Sequence, residues 1–169
     1  MALTEQMKKF QSKINHPHRR IVICGSMAFY AEMVAMKRRL KKHGIQCAIP
    51  DLDSALLEAG REEDYQGVKR RASMRHIRRV RDQKTFAILV MNLDKHGVSD
   101  YIGPNTFAEV AVAFAHYKQI YLFQGYPDFY KDELLAWQAV ILNGNVSSLI
   151  SSFRDALFRE SQQLTLFEP

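Results

Sequence analysis

Apolar positions in this chain follow two alternating rhythms. Short unbroken runs, Ile21-Val22-Ile23-Cys24, Cys47-Ala48-Ile49, Phe86-Ala87-Ile88-Leu89-Val90-Met91 and Ile120-Tyr121-Leu122-Phe123, are rich in branched side chains and too short for helices. They read as strands buried on both faces, and residues 139–142 read as a fifth. Between them apolar residues recur every three or four positions, which predicts helices over 27–43, 64–83, 110–117, 130–136 and 146–158. Ser26 is placed to cap the first of these and Gly44 to stop it. The helix over 64–83 has few inward-facing candidates, Val68, Ala72, Ile77 and Val80. Leu3, Met7, Phe10 and Ile14 predict a further amphipathic helix over 3–14, broken at Pro17, and the segment 51–67 reads as irregular with a short helix over 54–59.

Strands and helices in repeated alternation imply right-handed crossovers and a parallel sheet covered on both sides. The expected fold class is α/β: a three-layer flavodoxin-like or Rossmann-like domain over residues 20–158, with a five-stranded parallel sheet and helices on both faces. An N-terminal helical extension over 1–19 precedes it and a C-terminal tail over 159–169 follows.

Composition agrees with one domain holding a sizeable core: 169 residues, 47% hydrophobic and 25% charged. The longest apolar runs fall far short of a membrane span and residues 1–20 carry no secretory apolar core, so no membrane association and a cytoplasmic location are expected. Cys24 and Cys47 sit in strand-like stretches, where reduced buried thiols are the ordinary reading. No metal-binding cluster is legible, and no cofactor is expected.

Charge changes the picture more. Residues 69–81 hold seven Lys or Arg and no acid, against a net charge of +6 for the whole chain, so one segment makes the protein basic. Such a concentration suits an anionic partner, a nucleic acid or a phosphorylated ligand, or else is a solvated helix face.

Candidate chemistry concentrates after the third strand. A long polar loop, 92–104, leads to Asn105-Thr106-Phe107-Ala108-Glu109, read as a polar turn that puts Glu109 in the first turn of the next helix. Loops leaving the carboxyl ends of parallel strands form the ligand crevice of open α/β sheets. The same residues also read as a capping box, with Thr106 as cap and Glu109 reaching back to its amide.

Ile21-Val22-Ile23-Cys24-Gly25-Ser26-Met27, the stretch Ala87 to Lys95, and Tyr101-Ile102-Gly103-Pro104-Asn105-Thr106-Phe107-Ala108-Glu109 together resemble the nucleoside 2-deoxyribosyltransferase superfamily, over roughly residues 20–145. The resemblance implies that Glu109 is the nucleophile attacking the anomeric carbon of a nucleoside or nucleotide, through a ribosyl-enzyme ester resolved by water or a second base. It implies that Gly25 and Ser26 line the pocket, that Asn105 binds the sugar or orients Glu109, and that the protein is a homo-oligomer, a dimer or larger. Superfamily members carry an acid on the helix before strand three. Here 74–79 read Met-Arg-His-Ile-Arg-Arg, so His76 is the candidate general acid, with an ordinary surface histidine as its alternative. Where the transferases carry an acid or a serine six residues before the glutamate, this chain has Gly103; Asp94 and Asp100 are the candidate substitutes. Arg71, Arg75 and Arg78 are candidates to hold a substrate phosphate.

In the tail, Gln163-Leu164-Thr165-Leu166-Phe167 resembles the short peptide by which bacterial replication and repair proteins dock on the sliding clamp. Leu166 and Phe167 would be the anchors, with Leu164 between them and the polar contact of Gln163. The alternative is a tail that folds Leu and Phe back onto the core.

Two functions are therefore expected. The first is a nucleoside or nucleotide N-ribosyl hydrolase or transferase; the second is a non-catalytic nucleotide- or nucleic-acid-binding module docked on the sliding clamp.

Overall fold

The structure is a computed structural model, and it describes residues 19–51 and 65–165, with only the backbone for 163–165. The expected helices over 3–14 and 54–59, and the tail residues Leu166 and Phe167, lie outside the described residues.

Five strands form one parallel sheet: β1 (Arg20–Gly25), β2 (Gln46–Ala48), β3 (Thr85–Met91), β4 (Gln119–Leu122) and β5 (Val140–Ile141). Their order is β2-β1-β3-β4-β5, so the chain reverses its direction of travel across the sheet between β1 and β3. The helices are α1 (Tyr30–Lys42), α2 (Tyr65–Arg81), α3 (Pro104–Ala115), α4 (Lys131–Ala136) and α5 (Ser147–Thr165). This is the three-layer, flavodoxin-like arrangement that the alternation of patterns implies. Among the described residues, no helix is long and apolar enough to cross a membrane.

Two cores follow from the strand period of two. Ile21 and Ile23 of β1, with Leu89 and Met91 of β3, pack against Met33, Met36 and Leu40 of α1 and Leu149, Phe153 and Leu157 of α5. Val22 and Cys24, with Ile88 and Val90, face the opposite layer and meet Val80 of α2, Val110 and Ala113 of α3 and Leu134 of α4. Cys24 therefore shares a side of the sheet with α2 and α3.

Three elements differ from the expectation. The helix after β1 opens with a 3-10 turn, Met27–Phe29, before α1 begins; Ser26 is its cap, the Oγ accepting from the Ala28 amide at 3.3 Å. The helix after β3 starts earlier than read: Gly103 is the N-cap and Pro104 opens α3, so Thr106 lies inside the first turn and Glu109 in the second. The capping-box reading of Thr106 and Glu109 is thereby corrected. The ring of Pro104 sets a helical φ and lacks the amide that a first-turn residue leaves unpaired, so the start belongs to it. The last helix continues past 158 to Thr165, so the backbone of Gln163 and Leu164, expected in the tail, is helical.

Candidate active site

In a sheet of this order, ligands bind outside the carboxyl ends of the strands at the point where the winding reverses. That point lies between Gly25 and Met91, which are paired in register at the ends of β1 and β3. A cleft of about 350 Å³ opens there, within the range of small-molecule sites, and Gly25, Ser26, His76, Asn105 and Glu109 all line it. Gly25 has a local reason to be glycine: a Cβ would meet the Met91 carbonyl oxygen at 3.2 Å and its Cβ at 3.3 Å.

Three elements carry the polar floor of the cleft. Cys24 ends the buried part of β1 and is fully buried. His76 lies on the inward stripe of α2 with Val68 and Val80 and is 3% exposed, so it is no surface histidine. Glu109 neighbours the inward stripe of Thr106, Val110 and Ala113 on α3, and its side chain is 12% exposed. His76 Nε2 lies 3.6 Å from Cys24 Sγ and 3.7 Å from Glu109 Oε2. The Cys24 thiol and the Glu109 carboxyl group lie within 4.8 Å of each other. His76 Nδ1 is buried and makes no hydrogen bond.

Burial dominates the electrostatics of this floor. It pushes the Glu109 carboxyl group up to about 8, against the neighbouring Cys24 thiol, which favours the charged form. Burial first, and the Arg79 charge second, push His76 down to about 4, outweighing Asp51 and the backbone of Ile23. The Cys24 thiol is driven well up, by burial and then by the charge of Glu109. At neutral pH the imidazole is uncharged.

Not every expected residue joins the cleft. Asp94 is exposed and braces its own loop, accepting from the Asp100 amide at 3.1 Å. Asp100 accepts from the Gly125 amide at 2.7 Å. None of Arg71, Arg75 and Arg78 lines the cleft. Arg75 meets Asp51 at 3.3 Å, and Arg78 is exposed. The strongest cation of α2 in this region is Arg79, which grips Asp51 through both nitrogens at 2.9 Å and donates to the Ile49 carbonyl at 3.1 Å.

Other residues of the cleft escaped the sequence reading. Tyr65, Lys69 and Tyr101 line it. Lys95 Nζ donates to Ser26 Oγ at 3.0 Å and sits 4.9 Å from the centre of the Tyr101 ring. Cys24 was legible only as a buried thiol, because its neighbour His76 lies 52 residues away in the chain. Lys95 had a signal, as the only cation in the loop just after β3, at the carboxyl end where ligands bind.

Comparison with protein-family models, with curated proteins and with solved structures finds no match for this chain.

Proposed function

We propose that this chain breaks the N-glycosidic bond of a nucleoside or nucleotide, as a hydrolase or a transferase, with Glu109 as the attacking carboxylate. The observation that carries the reading is the position of Glu109. It is a largely buried carboxyl group on the floor of a nucleoside-sized cleft, at the reversal point of the sheet. Burial raises this group to about 8, and in its charged form, with no cation paired to it among the described residues, it complements the positive charge that develops on a sugar ring as its base departs.

In this reading Glu109 first gives its proton to solvent, a loss that burial shifts up to about pH 8; the carboxylate then forms the bond to the anomeric carbon while the C–N electron pair leaves with the base, which takes up a proton from solvent. Water or a second base then attacks the ribosyl ester and frees Glu109. Gly25 lets the substrate approach the backbone, and Ser26 and Asn105 offer hydrogen bonds to sugar hydroxyls. His76, uncharged at neutral pH, packs beside Glu109 with Nε2 3.7 Å from Oε2 and does not deliver the proton. Superfamily resemblance supports the same assignment of Glu109 and a homo-oligomeric assembly.

Base release from a panel of nucleosides and 5′-monophosphates, followed by chromatography, tests the reading. Wild type is expected to release base and Glu109→Gln to retain the fold and release none. Equal release by the two proteins would remove Glu109 from the chemistry.

The second reading, a non-catalytic nucleotide- or nucleic-acid-binding module docked on the sliding clamp, has one observation in its favour. Lys69, Arg70, Arg78 and Arg81 are exposed along α2, beside the cleft that Lys69 helps to line. Phosphate contacts of this kind weaken steeply with salt.

A further inference from the structure

The geometry points to a binding site for a zinc-class divalent cation made by Cys24 Sγ, His76 Nε2 and Glu109 on the floor of the cleft. The donor atoms of the three residues lie within 4.8 Å of one another, and no other three such groups converge among the described residues. Tetrahedral zinc, with bonds of about 2.3 Å to sulfur and about 2.0–2.1 Å to nitrogen, holds these donors roughly 3.6 Å apart. Cys24 Sγ and His76 Nε2 are 3.6 Å apart, and His76 Nε2 and Glu109 Oε2 are 3.7 Å apart. Two sides of the triangle thus already have that length, and the third, from Cys24 Sγ to the Glu109 carboxylate, lies within 4.8 Å and is closed by a shift of the Glu109 side chain.

Donor chemistry narrows the choice of metal. One thiolate, one imidazole and one carboxylate suit zinc and its neighbours among the late first-row metals, and disfavour magnesium and calcium, which take oxygen donors. Three protein donors leave a fourth position, and His76 and Glu109 open onto the cleft, so that position faces any bound ligand. A site with one open position is the arrangement of reactive rather than purely structural zinc.

His76 supplies an independent reason. Its Nδ1 is buried without a hydrogen bond, so Nε2, which faces Cys24 and Glu109, is the nitrogen through which the ring can meet a partner. The two neighbours of Nε2 stand at 3.6 and 3.7 Å, beyond good hydrogen-bond length. Hydrogen bonding alone thus leaves Nε2 without a close partner, whereas a metal bond there supplies one, with the ring proton on Nδ1. On binding, Cys24 gives its thiol proton to solvent and forms the sulfur–metal bond, and any proton on Glu109 leaves in the same way.

The site goes beyond the glycosidic reading and constrains it. A cation on one oxygen of Glu109 withdraws charge from the carboxylate that would attack a sugar, so an occupied site is expected to slow turnover through Glu109.

Cobalt(II) titration of the metal-free full chain tests the site without any assay of activity. One equivalent is expected to give thiolate-to-cobalt absorption in the near ultraviolet together with the visible bands of a tetrahedral ion, and added zinc is expected to abolish both. Cys24→Ser should lose the thiolate band, Glu109→Gln should bind at least about tenfold more weakly, and Cys47→Ser should match wild type. Absence of the thiolate band in folded wild type would overturn the proposal, as would an unchanged band in Cys24→Ser. If Cys24→Ser fails to fold, Glu109→Gln and His76→Gln decide the matter: unchanged cobalt affinity in both places the ion elsewhere. Base release bears on none of these outcomes, so the metal site and the glycosidic reading stand or fall separately.

Discussion

Asn92 shows how a single buried side chain fixes the mouth of the cleft. It follows β3 directly, is fully buried, donates to the Gly125 carbonyl at 2.7 Å and accepts from the Gln124 amide at 3.0 Å. One side chain thus ties the end of β3 to the loop after β4. Asn92→Ala is expected to cost about 2 kcal/mol in urea unfolding, because it leaves two backbone groups without partners. Asp51 does similar work on the other rim, and its carboxyl group is held below the usual range, chiefly by the Arg79 hydrogen bond. A carboxyl group whose folded value is lowered adds stability that is complete above its unfolded value, about 3.9, and is lost as pH falls through the folded value. Its side chain is 39% exposed, so solvent screens the effect and the contribution is small. Unfolding measured from pH 6 to pH 2 should therefore show a shallower acid-side loss of stability in Asp51→Asn than in wild type; an identical slope would mean the pair contributes nothing.

At the scale of elements, three helices end in the same way. After α1, α3 and α4 the chain turns through a left-handed residue, Gly44 (φ 77°), Tyr117 (φ 56°) and Gln138 (φ 56°). In each, two amides return to the last turn. At α3 Tyr117 donates to Phe114 at 3.0 Å and Lys118 to Ala113 at 2.9 Å, the Schellman arrangement. Only the first of these ends carries the glycine that the conformation favours. Tyr117 is 98% exposed and loses no packing on replacement. Tyr117→Gly is accordingly expected to raise stability by about 1 kcal/mol, and Gly44→Ala to lower it by a similar amount, both read from thermal melts. The same reasoning explains what the sequence disclosed. Strands were legible because buried parallel strands are continuous apolar runs, and Gly44 marked the end of α1. The end of α3 was misplaced because tyrosine gives no such mark, and its start because Thr106 and Glu109 imitate a capping box one turn inside the helix. Glu109 was found as a candidate through the loop that precedes it. His76 was named through the family resemblance as a candidate general acid, and Cys24 only as a buried thiol; that the three side chains meet was not legible, because it depends on strand parity and on which side of the sheet α2 and α3 occupy, which no local pattern records.

For the whole molecule, the layer formed by α2, α3 and α4 carries both the cleft floor and an unusual outer face. Tyr130 stacks on Phe107 with ring centres 3.9 Å apart, and Phe114 stacks on Trp137 at 4.9 Å, with Phe107 and Trp137 at 5.5 Å completing a continuous row. Phe114 and Leu135 stay 45% and 49% exposed beside it, a face suited to the homo-oligomer proposed above. Sedimentation is expected to report a dimer or larger assembly for wild type and a shift toward monomer for Phe114→Glu; a monomeric wild type would remove the assembly from the account. The sheet order, the cleft and the placement of Glu109 support the central proposal, that this carboxyl group attacks a glycosidic carbon. The most direct measurement is trapping of the covalent intermediate: wild type mixed with a substrate from the active class, quenched in acid and weighed by intact-protein mass spectrometry. The account predicts an added ribosyl or deoxyribosyl mass that maps to Glu109 and is missing in Glu109→Gln. Base release without any such adduct on Glu109, or an adduct that survives in Glu109→Gln, would contradict it.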